Sequence, residues 1–292
     1  MALKTLSIWS GLTALAAATV LIATPAPAAA EPAVWTIRDA DSTIVLFGSV
    51  HLLPAGLDWR PATLDAALAE ADDLWFETLT DDAASGLAAR RLGVLPAGES
   101  LLSRLTPQGR ARLQRQGERL GLSPAAVDHL RPWLADLTLS VAALLQDGAF
   151  ADAGVERTLE TAAPAATRRY FETPAEQIEF LAGAPEVDQL ASLEETLRQL
   201  EEDPELFSRL VRAWLAGDQA AIEALGVAPI RTLSPVLYER LLAGRNRRWA
   251  EIILARLAGS GTTVMVVGAG HLTGPDGVPA LLRARGVAVE GP

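Results

Sequence analysis

The chain has no cysteine, two methionines, two tyrosines and three histidines among its 292 residues. Without cysteine there are no disulfides, no thiolate metal sites and no cysteine nucleophile, so stability must come from the core alone. Lysine ends at Lys4, and every later strong base is arginine. The balance is acidic, with 25 Lys and Arg against 36 Asp and Glu and a net charge of -11. An acidic chain without basic clusters argues against nucleic acid or anionic lipid as a partner. Half of the residues are hydrophobic, which is ample for one domain with a large core.

The first thirty residues read as a secretory signal peptide. Lys4 gives a basic start, Leu6 to Ala23 an apolar stretch, and Ala28-Ala29-Ala30 a small-residue cleavage site before Glu31. Polar breaks at Ser7, Ser10, Gly11 and Thr13 leave less than the ~20 unbroken apolar residues that suit a membrane span. No cysteine follows the cleavage site, which argues against a lipoprotein anchor. The expected product is one soluble domain, residues 31–292, with no membrane span after cleavage and a periplasmic or secreted location. Removal of the segment takes away one Lys and no acid, so its charge becomes -12.

Two apolar runs, Val34 to Ile37 and Ile44 to Phe47, flank a polar turn and predict a hairpin. Helical spacing follows from Pro61 to Ala71. Asp73 to Thr78 then reads as a strand ending in a carboxylate, Glu77. From Asp81 to Gln146 the pattern is helical, with starts at Thr106-Pro107 and Ser123-Pro124, where a capping hydroxyl precedes Pro. A helix is expected over Val155 to Ala162, and a second strand ending in Glu-Thr over Thr167 to Thr173. Helix dominates Ala175 to Leu225, one strong helix runs from Pro235 to Leu257, and another from Val278 to Arg285. An edge strand is expected over Val287 to Val289. The implied fold is α/β: one mixed or parallel sheet with helices on its faces and a large helical insertion between two related halves.

Two stretches carry the chemistry. Thr43 to Phe47 runs into Gly48-Ser49-Val50-His51-Leu52, and Thr262 to Val267 runs into Gly268-Ala269-Gly270-His271-Leu272. With 23 Gly and 3 His, chance supplies roughly 0.2 G-x-x-H in such a chain. Two copies, each after a β-branched run and each followed by Leu, point to a site. Parallel strands would bring His51, Glu77, Glu172 and His271 to one rim, since ligands bind at strand carboxyl ends in open α/β sheets. Two imidazoles and one or two carboxylates suit Mn, Co, Zn or Fe in the divalent state with a water position open. Hydrogen bonding to loop backbone is the competing role for both histidines, and helix-end capping for the two glutamates. His129 sits in a helical pattern and is assigned to structure, and the tryptophans to packing. Arg245, beside Asn246, is the arginine of its run expected to face the rim.

At these residues the chain resembles the TraB/PrgY/GumN/Tiki family, within the broader group that includes ChaN-like and erythromycin-esterase-like proteins. The marks are the two G-x-x-H motifs, Glu77 in Trp75-Phe76-Glu77-Thr78, and Arg245-Asn246. Phe171-Glu172-Thr173 with Glu176-Gln177, and Arg131-Pro132-Trp133, are similar to further family segments. The likeness extends from about Val34 to Val289. One departure is Gly244, where relatives often carry Glu, which removes a local ion pair for Arg245. The resemblance implies metal-dependent, protease-like activity, with Mn or Co favoured. On that reading His51, Glu77 and His271 hold the ion, Glu172 completes the set or acts as base, and Arg245 and Asn246 stabilise the oxyanion. A peptide or other small substrate is expected. Rival readings are an esterase-like hydrolase and a periplasmic protein that sequesters a ligand without turnover.

Overall fold

The computed structural model describes residues 30–79 and 82–292. All but the last residue of the expected signal segment, and Asp81, lie outside these. The chain opens with β1 (Val34–Arg38), β2 (Ser42–Ser49), the short β3 (Leu53–Pro54), α1 (Ala62–Ala69) and β4 (Asp73–Thr78). Helices α2 (Asp82–Gly93), α3 (Pro107–Leu120), α4 (Pro124–Asp128) and α5 (Pro132–Gln146) come next. Then follow β5 (Ala149–Phe150), α6 (Val155–Leu159) and β6 (Thr167–Glu172). A second helical run comprises α7 (Pro174–Ala182), α8 (Glu186–Glu202), α9 (Leu206–Leu215), α10 (Gln219–Ile222), α11 (Ala228–Leu233), α12 (Pro235–Tyr238) and α13 (Gly244–Leu257). β7 (Gly261–Gly268), α14 (Val278–Ala284) and β8 (Val289–Glu290) close the chain.

Six strands form one mixed sheet in the order β6-β4-β7-β2-β1-β8. β2, β7, β4 and β6 run parallel, while β1 is antiparallel to β2 and to β8. The hairpin expected at the start is therefore β1-β2, with Val34 opposite Phe47, and its turn is fixed by Asp39, whose carboxylate accepts from the Ser42 N–H at 2.8 Å. β2 and β7 lie in the interior of the sheet and are buried over most of their length, which is why they read as continuous β-branched and apolar runs. β6, at the edge, carries Arg168, Arg169 and Tyr170 instead.

Each face of the sheet has its own core. Phe47, Trp59, Leu64, Phe76 and Trp214 fill one side, and Trp35, Ile37, Trp249, Ile253 and Met265 the other. A third core joins α3, α5 and α8 through Leu113, Leu139, Leu193 and Leu197. The large helical part of the chain lies between β4 and β7, with β6 contributed to the sheet from within it. Thr106 and Ser123 cap α3 and α4 as their sequence suggests, accepting from the N–H groups of Gly109 and Ala126. Among the described residues no single helix is long and apolar enough to cross a membrane. One pair, Gln219–Leu233 with Pro235–Leu257, passes by length and composition together but is bent by 120°.

Candidate functional site at the carboxyl ends of the parallel strands

Because β2, β7, β4 and β6 point the same way, the residues at their ends share one rim. Glu77 lies in the last turn of the pleat of β4, Glu172 ends β6, and His271 follows β7 in a short 3-10 turn. Thr173 then forms a reciprocal capping box with Glu176, so that β6 switches at once into α7 and Glu172 is held at the junction. The same first turn sends Gln177 toward Glu77, donating to its Oε2 at 2.9 Å.

Arg245 joins these residues. Its Nε donates to Glu172 at 2.9 Å, and one terminal nitrogen donates to Glu77 at 2.6 Å and Glu172 at 2.8 Å. The other donates to the Leu241 carbonyl at 2.9 Å and faces Nε2 of His271 at 3.0 Å. All five N–H groups have acceptors, so Arg245 has no spare donor for an oxyanion. Its plane is also packed between the rings of Phe180 and Trp249, at 5.2 and 4.8 Å. Nδ1 of His271 meets Oδ1 of Asn246, whose amide nitrogen donates to the Asp276 carbonyl at 2.8 Å. Those partners assign the tautomer: Nδ1 carries the proton and Nε2 accepts from Arg245. Glu77, Glu172, Arg245, Asn246 and His271 are all buried.

The helix that delivers Arg245 is not a plain α-helix. Between α12 and α13 lies one π-helical turn, Glu239–Ala243, in which the Gly244 N–H reaches back to the Glu239 carbonyl. A Cβ at Gly244 would stand 2.8 Å from that carbonyl, so the turn requires glycine there. The ion pair missing at Gly244 is replaced by Glu77 and Glu172, which orient Arg245 from the sheet.

His51 stands apart from this cluster. Its side chain is 64% exposed, and Nδ1 lies 2.8 Å from Oε1 of Glu156. Glu156 is on α6, and the Val155 N–H donates to the Val50 carbonyl to fix that helix against the His51 loop. Sequence reasoning placed the helix but missed Glu156, whose short helix offered no strand-end or motif signal.

The charges follow from these contacts. The Glu156 carboxylate, with a smaller contribution from Glu77, raises the His51 pKa to about 9. Burial disfavours the charged form of Glu77, but His271, Arg245, His51 and the Gly268 N–H, which donates at 2.6 Å, outweigh it and hold the carboxyl at about 2. Burial, helped by Arg245 and opposed by Glu77, holds His271 at about 3. At neutral pH His271 is uncharged, and the two carboxylates face Arg245 together with Arg248, whose guanidinium lies 3.2 Å from Glu172.

The donors are chemically suited to a divalent ion, being two imidazoles and a carboxylate. Yet among the described residues no three His, Asp or Glu side chains are grouped to hold one, and both ring nitrogens of His271 already have partners. The His129 ring, at the end of α4, meets the Ala125 carbonyl at 3.3 Å, and its own carbonyl accepts from the Leu95 N–H.

A mixed sheet with two histidines and two buried glutamates at the ends of its parallel strands defines an α/β protein with a candidate site at those ends. The TraB/PrgY/gumN family model matches residues 33–291, and the chain belongs to that family. It is similar to the uncharacterized protein YbaP of Escherichia coli (strain K12), with 27% identity over 240 residues, covering 82% of this chain and 87% of that protein. YbaP of Shigella flexneri gives the same figures. No solved structure matches.

Proposed function

We propose that the chain is a periplasmic or secreted hydrolase of acyl bonds, peptides first and esters second, acting at the strand-end rim. The observation that carries this reading is the His51–Glu156 pair at the strand-end rim, with Nδ1 2.8 Å from Oε1 and the imidazole open to solvent. A base oriented by a third group is the arrangement general acid–base catalysis requires. In its free form His51 takes a proton from water as the oxygen bonds to the acyl carbon. Glu156 and Glu77 stabilise the resulting imidazolium, which returns the proton to the departing amine or alcohol. Arg245, Asn246 and His271 are positioning residues that fix Glu77 and Glu172.

A second reading keeps a divalent ion, Mn or Co by resemblance and Zn or Fe by donor type, on His51, Glu77 and His271. It is favoured by the position of both imidazoles and Glu77 at the carboxyl ends of neighbouring parallel strands.

The test is a panel of peptides and esters assayed across pH with the purified protein, alongside metal analysis and chelation. We expect turnover to rise with pH toward about 9 as His51 loses its proton. Glu156→Gln should bring that limb down toward the ordinary ~6.5 of an imidazole. Wild-type turnover in His51→Ala sinks the proposal. Bound metal lost on His271→Ala, with chelator-sensitive activity, selects the second reading. A retained ligand with no product at any metal concentration points instead to sequestration.

A further inference from the structure

Beside His51 lies a cavity of about 350 Å³ whose wall is almost wholly apolar. It runs from the ends of β2 and β7, where Ser49, His51 and Gly268 line it, across to α9 and to the helices that lead to Arg245. Leu210, Trp214, Ile230 and Leu242 line it, and none of its described lining residues is Asp, Glu, Lys or Arg. Trp214 spends its one N–H on the Gly48 carbonyl at 2.9 Å, so it shows the cavity only a ring. That ring is held by Phe47 and Trp59, with centroids at 6.3 and 5.7 Å. Trp214 is thereby fixed against β2 and the core beneath it.

The cavity is also shaped by two π-helical turns. Gly226 and Val227 belong to one, Glu223–Val227, and Leu242 to the other, Glu239–Ala243. A π turn is costly to keep and gathers at functional sites. Two of them around one apolar hollow, the second also delivering Arg245, tie the hollow to the strand-end site. Its volume lies within the range of small-ligand pockets.

We propose that this cavity is the specificity pocket of the site, receiving an uncharged apolar group attached to the substrate next to the bond presented at His51. The shared chemistry is an aliphatic or aromatic group of side-chain size, from either a peptide residue or an acyl chain. Which bond is broken rests on the hydrolase reading; occupancy of the cavity does not. A charged group would lose its water here and meet no counter-charge, a cost the apolar wall cannot offset.

Equilibrium binding to the full chain, followed by titration calorimetry, tests this without turnover. The probes are N-acetyl-phenylalaninamide and N-acetyl-leucinamide for a peptide side chain, hexanamide for an acyl chain, and N-acetyl-aspartamide and N-acetyl-lysinamide as charged controls. We expect the apolar probes of at least one arm to bind roughly 10–100-fold more tightly than the charged ones, as burial of one such group implies. Ile230→Glu, at a half-buried wall position, should abolish the preference. Gly226→Leu, which fills the cavity from its wall, should weaken the apolar probes while leaving thermal stability near wild type. Equal binding of apolar and charged probes, no binding by any of them, or a preference untouched by both variants overturns the proposal. Apolar binding in a protein that hydrolyses nothing keeps the pocket and sinks only the hydrolase reading. Turnover without apolar preference does the reverse.

Discussion

Arg245 is the residue on which the buried charges depend. Two glutamates are out of water within a few ångströms of each other, and Arg245 is the cation that bridges both, while the half-exposed Arg248 reaches Glu172 alone. Removing one partner from such a buried set leaves an uncompensated charge, at a typical cost of ~3–5 kcal/mol. Arg245→Met, which keeps the aliphatic stem between Phe180 and Trp249, should therefore destabilise by about that amount in urea unfolding. Arg245→Lys should recover only part of it, because an ammonium cannot replace five N–H donors set in a plane. A stability change below about 1 kcal/mol for Arg245→Met would mean that Glu77 and Glu172 do not share this site in solution. The same reasoning places Asn246 as a setter of tautomer, since its carbonyl oxygen accepts from Nδ1 of His271.

How the secondary elements bring these residues together explains what the sequence made legible. β2 and β7 pair in parallel with Ser49 opposite Gly268, so the two G-x-x-H stretches had to end at one rim once both were read as interior strands. The Glu-Thr endings of β4 and β6 followed the same logic. Arg245 was readable from its place beside Asn246 as the arginine of its run that faces the rim, but its pairing with Glu77 and Glu172 was not, because a 3.6-residue period does not anticipate the π turn that delivers it. Glu156 was invisible for another reason: its five-residue helix reaches His51 through backbone packing, not through any motif. That packing is tight at Gly154, where a Cβ would stand 2.1 Å from the His51 carbonyl. The glycine has φ -62 and ψ 155, a conformation open to any residue, so the demand is for space and not for backbone freedom. Gly154→Ala should then cost ~1–3 kcal/mol and shift the His51 loop away from α6. The imidazole resonances of His51 should move toward those of a free histidine while those of His271 stay in place. Unchanged His51 shifts would show that the loop is not seated on α6.

For the protein as one body, acidity and burial act together to set a pH limit. His271 is held at about 3 when folded against an ordinary 6.5, and Glu77 at about 2 against 4.5. Both groups bind fewer protons in the native state than in the unfolded chain, so each contributes stability that is lost as pH falls. For His271 the loss begins at 6.5 and continues to about 3; for Glu77 it begins at 4.5 and continues to about 2. His51 has the opposite sign. Its pKa is raised to about 9, so its contribution is complete below 6.5 and fades as pH rises through 9; its exposure keeps that contribution small. Between pH 6.5 and 4.5 His271 makes the largest contribution, because its imidazole takes up a proton in the unfolded chain and not in the folded one. Over that interval the protein should lose roughly 2–3 kcal/mol, seen as a steady fall in Tm by calorimetry. His271→Gln, which cannot titrate, should start from lower stability but show a much flatter Tm there, with the fall deferred until Glu77 begins to take up a proton in the unfolded chain near 4.5. A wild-type Tm that stays level from pH 6.5 to 4.5 would place His271 in water and dismantle the buried cluster from which the site is built.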